Sequence, residues 1–207
     1  LQIHGFLTQG FVHTTDNRFF GGSDDGSFDF TELGVNLSYR AAPSVLLSGQ
    51  LLSRRAGDMY DGSPDVDFAL VDWNFSNTPG SSLGVVAGRI KNSLGLYNDT
   101  RDVAFTRPGV FVPQQIYFDS VRNLLLSADG LQLYARRSTD AGNWAFNLGA
   151  GTNPVDKNVE YAYLGRDYGG DLDSSGVSWI ARAEFETHDG AWRLAFSAAK
   201  AKLDFSA

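Results

Sequence analysis

The chain has no cysteine, one methionine (Met59) and only three histidines, His4, His13 and His188, in 207 residues. The first absence excludes a disulfide framework and every thiolate metal or redox site, and it suits an oxidising compartment. The histidines are too scattered for catalysis or metal binding: His4 and His13 fall at opposite ends of one segment, and His188 falls in a turn. No serine stands in a nucleophile elbow, and neither a phosphate loop nor a zinc spacing occurs, so neither an enzyme nor a cofactor is expected. A surplus of basic charge is missing as well. Lys and Arg total 17 against 24 Asp and Glu, a net charge of -7, which argues against nucleic acid as a partner. Nor is there an apolar run of the roughly 18 residues that a membrane-crossing helix needs, and mean hydropathy is -0.20. Crossing by strands stays open, because strands that alternate lipid-facing and lumen-facing residues average to mild polarity. No signal peptide precedes Leu1, so an exported protein is expected here in mature form.

What the sequence does hold is glycine (23 residues), aromatics (13%) and a dominant period of two. The alternation predicts about nine strands, near 2–14, 28–41, 43–55, 65–76, 82–92, 124–138, 142–152, 176–187 and 190–204. In the second, Leu33, Val35, Leu37 and Tyr39 oppose Glu32, Gly34, Asn36, Ser38 and Arg40. In the eighth, Trp179, Ala181, Ala183 and Phe185 oppose Ser178, Ile180, Arg182, Glu184 and Glu186. A soluble antiparallel sheet also alternates, with one face on a core and one in water. The connections discriminate better. They read long (15–27), short (41–42), long (56–64), short (77–81), long (93–123), short (139–141), long (153–175) and short (188–190). Sorting of long loops to one end and short turns to the other predicts an all-β, antiparallel transmembrane β-barrel, with 1–207 as one domain. A sandwich or a closed soluble barrel has no reason to sort its loops this way. Tyr39, Trp73, Phe75, Trp144, Phe185 and Trp192 then gather near the short turns, where an interfacial aromatic girdle belongs.

Two stretches carry a family likeness. Ile3-His4-Gly5-Phe6-Leu7-Thr8-Gln9-Gly10-Phe11 resembles the first strand of the general porins of Gram-negative outer membranes. Arg89-Ile90-Lys91-Asn92-Ser93-Leu94-Gly95-Leu96-Tyr97-Asn98-Asp99-Thr100-Arg101-Asp102 resembles a fifth strand running into the third extracellular loop. The resemblance implies a barrel of roughly 16 or more strands, of which 1–207 is the front part. It implies passive diffusion of small hydrophilic solutes or ions, location in the bacterial outer membrane among lipid and lipopolysaccharide, and assembly as a homotrimer. It also implies that 93–123, the longest connection, folds into the barrel and narrows the pore.

On that reading the inward-facing charges become the functional set. The wall contributes Arg40, Arg54, Arg89, Lys91, Arg136, Arg182 and Arg193 with Glu32, Asp72, Glu184 and Glu186. The loop adds Asp99, Arg101, Asp102, Arg107, Asp119 and Arg122. Opposed charges across a narrow waist set a transverse field that tunes ion preference, and Arg89, Lys91 and Arg182 are the best-placed cations. The loop residues Val110, Phe111, Val112, Ile116, Tyr117 and Phe118 are expected to pack on Leu46, Leu52, Phe68, Leu70 and Ile180 of the inner wall. The acidic loops at Asp24, Asp25, Asp171 and Asp173 lack an EF-hand spacing and are expected to be solvated. Two other functions fit parts of the pattern. A soluble all-β module binding carbohydrate or another ligand would explain the alternation, and an outer-membrane barrel hydrolase would explain the strands.

Overall fold

In a computed structural model, which describes every residue except 17–21, 102, 104, 105, 107, 108, 110, 168 and 207, the chain is dominated by strands. In order they are β1 (Gln2–Val12), β2 (Ser27–Ala42), β3 (Val45–Ala56), β4 (Asp61–Thr78), β5 (Ser81–Lys91), β6 (Ser127–Thr139), β7 (Gly142–Thr152), β8 (Asp171–Ser174), β9 (Ser178–Glu186), β10 (Arg193–Lys200) and β11 (Leu203–Ser206). Two short helices, α1 (Arg122–Leu126) and α2 (Lys157–Leu164), lie in the long connections. Nine strands form one antiparallel meander in the order β1-β2-β3-β4-β5-β6-β7-β9-β10. β1 pairs with β2 and β10 with β9, and the sheet is open rather than closed into a barrel.

The register corrects the strand expectations in three places. β4 begins at Asp61, where it already pairs with Arg55 of β3, so the expected 56–64 loop shrinks to 57–60. The connections 13–26, 92–126 and 153–177 remain long, and 43–44, 79–80 and 140–141 are two-residue turns. Residues 122–126 form α1 instead of opening a strand. Asn92 and Asn153 supply the reason: their side-chain amides donate to the carbonyls of Leu125 (3.1 Å) and Leu124 (2.8 Å), satisfying groups that a strand would have paired. The ninth expected strand splits. Its last residues leave the main sheet as β11 and pair with β8 in a two-stranded sheet beside α2.

The two faces of the main sheet differ in an unusual sense. Along β9, Ser178, Ile180, Arg182 and Glu184 are buried, while Trp179 on the opposite face is 43% exposed. The exposed face continues across neighbours: Phe146 lies opposite Ala183, Leu148 opposite Ala181, Leu133 opposite Leu148, and Val35 opposite Leu51. Tyr39, Trp73, Phe75, Trp144 and Trp192 are exposed toward the short-turn end. There Trp73 meets Phe75 at 5.5 Å between ring centroids and Trp144 meets Phe185 at 4.8 Å. The covered face holds only small apolar clusters, chiefly Val86, Ile90, Ala128 and Tyr134, and then Phe30 with Ala56. Beside them it buries Glu32, Gln50, Arg54, Asp67, Arg182 and Glu184.

Candidate functional site

The covering over the inner face is the long connection 92–126. Its neck is closed by asparagines. The Asn92 backbone N–H donates to the Leu126 carbonyl (2.8 Å), and the fully buried Asn98 amide reaches the carbonyls of Asn92 (2.9 Å) and Leu125 (2.8 Å). The segment then turns back over the sheet. Gly95 donates to Ser197 Oγ (2.9 Å) on β10 and accepts from Arg182 Nη1 (3.1 Å) on β9. Both partners stand at the middle of their strands, so the loop lies against the sheet at mid-height. Gly95 has φ +58, and a Cβ there would collide with Tyr117 Oη, so glycine suits this close approach. The buried Tyr117 hydroxyl accepts from the N–H groups of Leu96 (2.7 Å) and Tyr97 (3.0 Å) and pins the turn.

Ion pairs fasten the loop to the wall at three points. At the first, Glu32 of β2 and Arg54 of β3 are cross-strand neighbours joined at 2.9 Å. Arg54 also reaches Asp119 of the loop (2.5 Å), and Asp119 accepts from Arg101 (3.0 Å). All four side chains are at least nine-tenths buried. At the second, Asp67 of β4 accepts from Arg122 (2.9 Å) and Gln50 (2.8 Å), with the Lys91 ammonium at 3.6 Å. At the third, Arg182 pairs with Asp99 of the loop (3.4 Å) and with Glu184 (2.6 Å), which also accepts from Arg193 (2.7 Å).

Burial and crowding set the proton affinities in the loop. Burial first, and then the neighbouring Arg122 and Arg54 cations, push Arg101 down to about 10. For Asp119 burial works against the charged form, but Arg54 and Arg101 outweigh it and hold the carboxyl below its ordinary value. Tyr60, in the β3–β4 connection, is pushed up to about 12, chiefly by burial.

Of the residues expected from sequence, Glu32, Lys91, Asp99, Arg101, Asp119, Arg122, Arg182 and Glu184 come together in these contacts. Arg89 stands apart, bonded to Asp129 (2.8 and 3.0 Å) and to the Val66 carbonyl (3.2 Å). Asp72 is likewise separate and accepts from Tyr134 (2.9 Å). Asp102 and Arg107 lie outside the described residues, as does Val110. The apolar loop stretch divides rather than packing as one block. Val112 and Tyr117 are buried, whereas Ile116 and Phe118 are exposed. Phe111 packs edge-on against Phe30 (4.9 Å) in the cluster with Ala56, not on the expected wall set. Leu70 packs instead with the Val86 cluster, and Phe68 lies under the Lys91 ammonium. Ile180 does line a small cavity of about 120 Å³ together with Leu94 of the loop.

Asp67 is the hub that strand alternation misses. Parity from Asp72 places it on the exposed face, but the register slips between Gln50 and Leu51, which face Phe68 and Val66 and leave Asp67 as an extra residue. Such a bulge turns its side chain inward. Among the described residues no cluster of His, Asp or Glu is arranged to hold a metal ion. No family model, curated protein or solved structure matches the chain.

Proposed function

We propose that the chain is the front part of an outer-membrane porin, a β-barrel through which small hydrophilic solutes or ions diffuse passively. The sheet continues into a closed barrel with further strands, and the ionic seam under the 92–126 loop forms its constriction. The observation that carries this reading is the inverted polarity of the sheet. Its exposed face is apolar, whereas its covered face carries buried ion pairs beside small apolar clusters. A soluble antiparallel sheet does the reverse.

The magnitudes weigh in the same direction. About twenty large apolar side chains stand 38–72% exposed on the main-sheet strands. Leaving each half-exposed in water forgoes about 1 kcal/mol, so together they amount to roughly 20 kcal/mol. That exceeds the roughly 5–15 kcal/mol by which a domain is stable. In lipid the same face is solvated by its surroundings. Charged groups along a lumen wall, in turn, select and orient solutes rather than penalise the fold.

The test is conduction. The full-length protein, extracted in detergent and added to a planar bilayer, is expected to form stable open channels. Removal of 108–118 is expected to raise single-channel conductance, because that stretch belongs to the loop held across the inner face. Absence of any conductance, or ready extraction into buffer without detergent, rejects the porin reading and favours a soluble ligand-binding module.

A further inference from the structure

The apolar face of the sheet dips along β9. Ala181 and Ala183 point outward there, and their small side chains form the floor of a trough. Leu148 and Phe146 of β7 stand opposite them on one side, and Phe196 of β10 stands opposite Ala183 on the other. Leu83 and Leu133 extend the trough toward β5, and its volume is about 380 Å³, within the range of small-molecule sites.

Toward the long-loop end the same face turns polar. Trp179 lies about 13 Å along β9 from Ala183, and its cross-strand partner is Lys200 of β10. Strand alternation puts Lys200 on the same face as Phe196 and Ala198. It is exposed, and among the described residues it has no ion pair. Of the outward-facing positions on β7, β9 and β10, it is the sole charged one. Asp129 of β6, which shares the face, is already held by Arg89 (2.8 and 3.0 Å). Past the end of β10, Lys202 is exposed as well, and Asp173 and Asp204 follow opposite each other in the two-stranded sheet. An ammonium at the rim of an apolar surface is favoured by a phosphate at the same depth, while its methylene stem covers hydrocarbon.

We propose that this trough binds one anionic phospholipid in the leaflet at the long-loop end. An acyl chain lies over Ala181 and Ala183 between the Phe146 and Phe196 rings. The phosphate meets the Lys200 ammonium beside the Trp179 indole, whose N–H can donate to the headgroup. A lipid without net charge fills the trough but brings Lys200 no net counter-charge. A second copy of the chain, packed here, would bury an ammonium with nothing to pair it, which is costly. The inference rests on the reading of this face as lipid-facing and does not depend on conduction.

The test is quenching of Trp179 fluorescence by lipids with brominated chains, in the full-length protein folded into phosphatidylcholine vesicles. The Trp179 signal is the difference between each protein and the same protein carrying Trp179→Phe. Brominated phosphatidylglycerol is expected to bind beside Trp179 about fivefold more tightly than brominated phosphatidylcholine, the size of one lysine's attraction for anionic lipid. Lys200→Gln should bring the two lipids to parity, and Lys200→Arg should keep the preference. Ala181→Phe fills the floor but leaves the ammonium, and it should cut the preference at least by about half. Equal binding of the two lipids to the unaltered protein, or a preference that survives Lys200→Gln or Ala181→Phe, overturns the site while leaving the face in lipid. Absence of quenching by either lipid overturns it too, and puts a protein surface over the trough. A protein that does not enter the vesicles takes the lipid-facing reading down with it.

Discussion

At the scale of single residues, Asp119 is the side chain on which the loop's attachment turns. It takes Arg54 from the wall and Arg101 from the loop, and its folded proton affinity is held below the ordinary value of 3.8. A carboxyl lowered in the folded state contributes stability that is full above its unfolded value and is lost as pH falls through its folded value. The attachment should therefore be complete at neutral pH and weaken below about pH 4. In bilayers, acidification through that window is expected to raise single-channel conductance as the loop loosens. Asp119→Asn should produce the loosened state at neutral pH, because removing one partner of a buried ion pair costs about 3–5 kcal/mol. An acid-induced step of full size in Asp119→Asn would place the switch at another group. Much of this seam was legible in the sequence: Glu32 and Arg54 share a face by simple alternation, and Asp119 and Arg122 stand in the one connection too long to be a turn. Asp67 was not legible, because a bulge leaves no mark in residue parity. The pairing of Arg89 with its cross-strand neighbour Asp129 was not legible, because it depends on a register that alternation does not set.

At the scale of elements, the strands were readable wherever one face is uniformly apolar, and unreadable where local polar groups compete for the backbone. β2, β7 and β9 follow their expected spans closely. Leu124, Leu125 and Leu126 give no alternation, and asparagine side chains decide the matter in favour of α1. The departure of β11 was invisible because its partner, β8, lies in what reads as a loop. The exposed face also makes an element-level prediction. Leu148 sits opposite Leu133 and Ala181, in the middle of that face, and is 53% exposed. On a lipid-facing surface Leu148→Arg should cost about 2–4 kcal/mol, seen as a lowered midpoint in denaturant titration of protein folded into vesicles. On a water-facing surface the same change should be close to neutral and should improve solubility. A midpoint that does not move would exclude lipid as the solvent of this face.

At the scale of the whole molecule, the two edges of the sheet bear on the proposed barrel. β1 has a partner on one side only, and it is an eleven-residue strand with Ile3, Leu7 and Phe11 exposed on the apolar side. In water such an edge invites aggregation, and natural edges are shortened, charged or covered to avoid it. β1 shows none of these devices: among the residues Gln2–Val12 there is no lysine, arginine, aspartate, glutamate or proline. In lipid the constraint is stricter, because each unpaired N–H or C=O costs several kcal/mol. Both solvents therefore disfavour a bare β1, and on the proposed barrel reading closure gives it a neighbour without exposing a new edge. The expectation is that backbone amides of Gln2–Val12 in the full-length, membrane-reconstituted protein exchange with deuterium as slowly as those of the interior strand β3. Because alternate N–H groups of an edge strand point away from its single neighbour, an unpaired β1 would show fast and slow amides in alternation along its length. That alternating pattern would leave the sheet open as drawn, and an open sheet cannot enclose a pore.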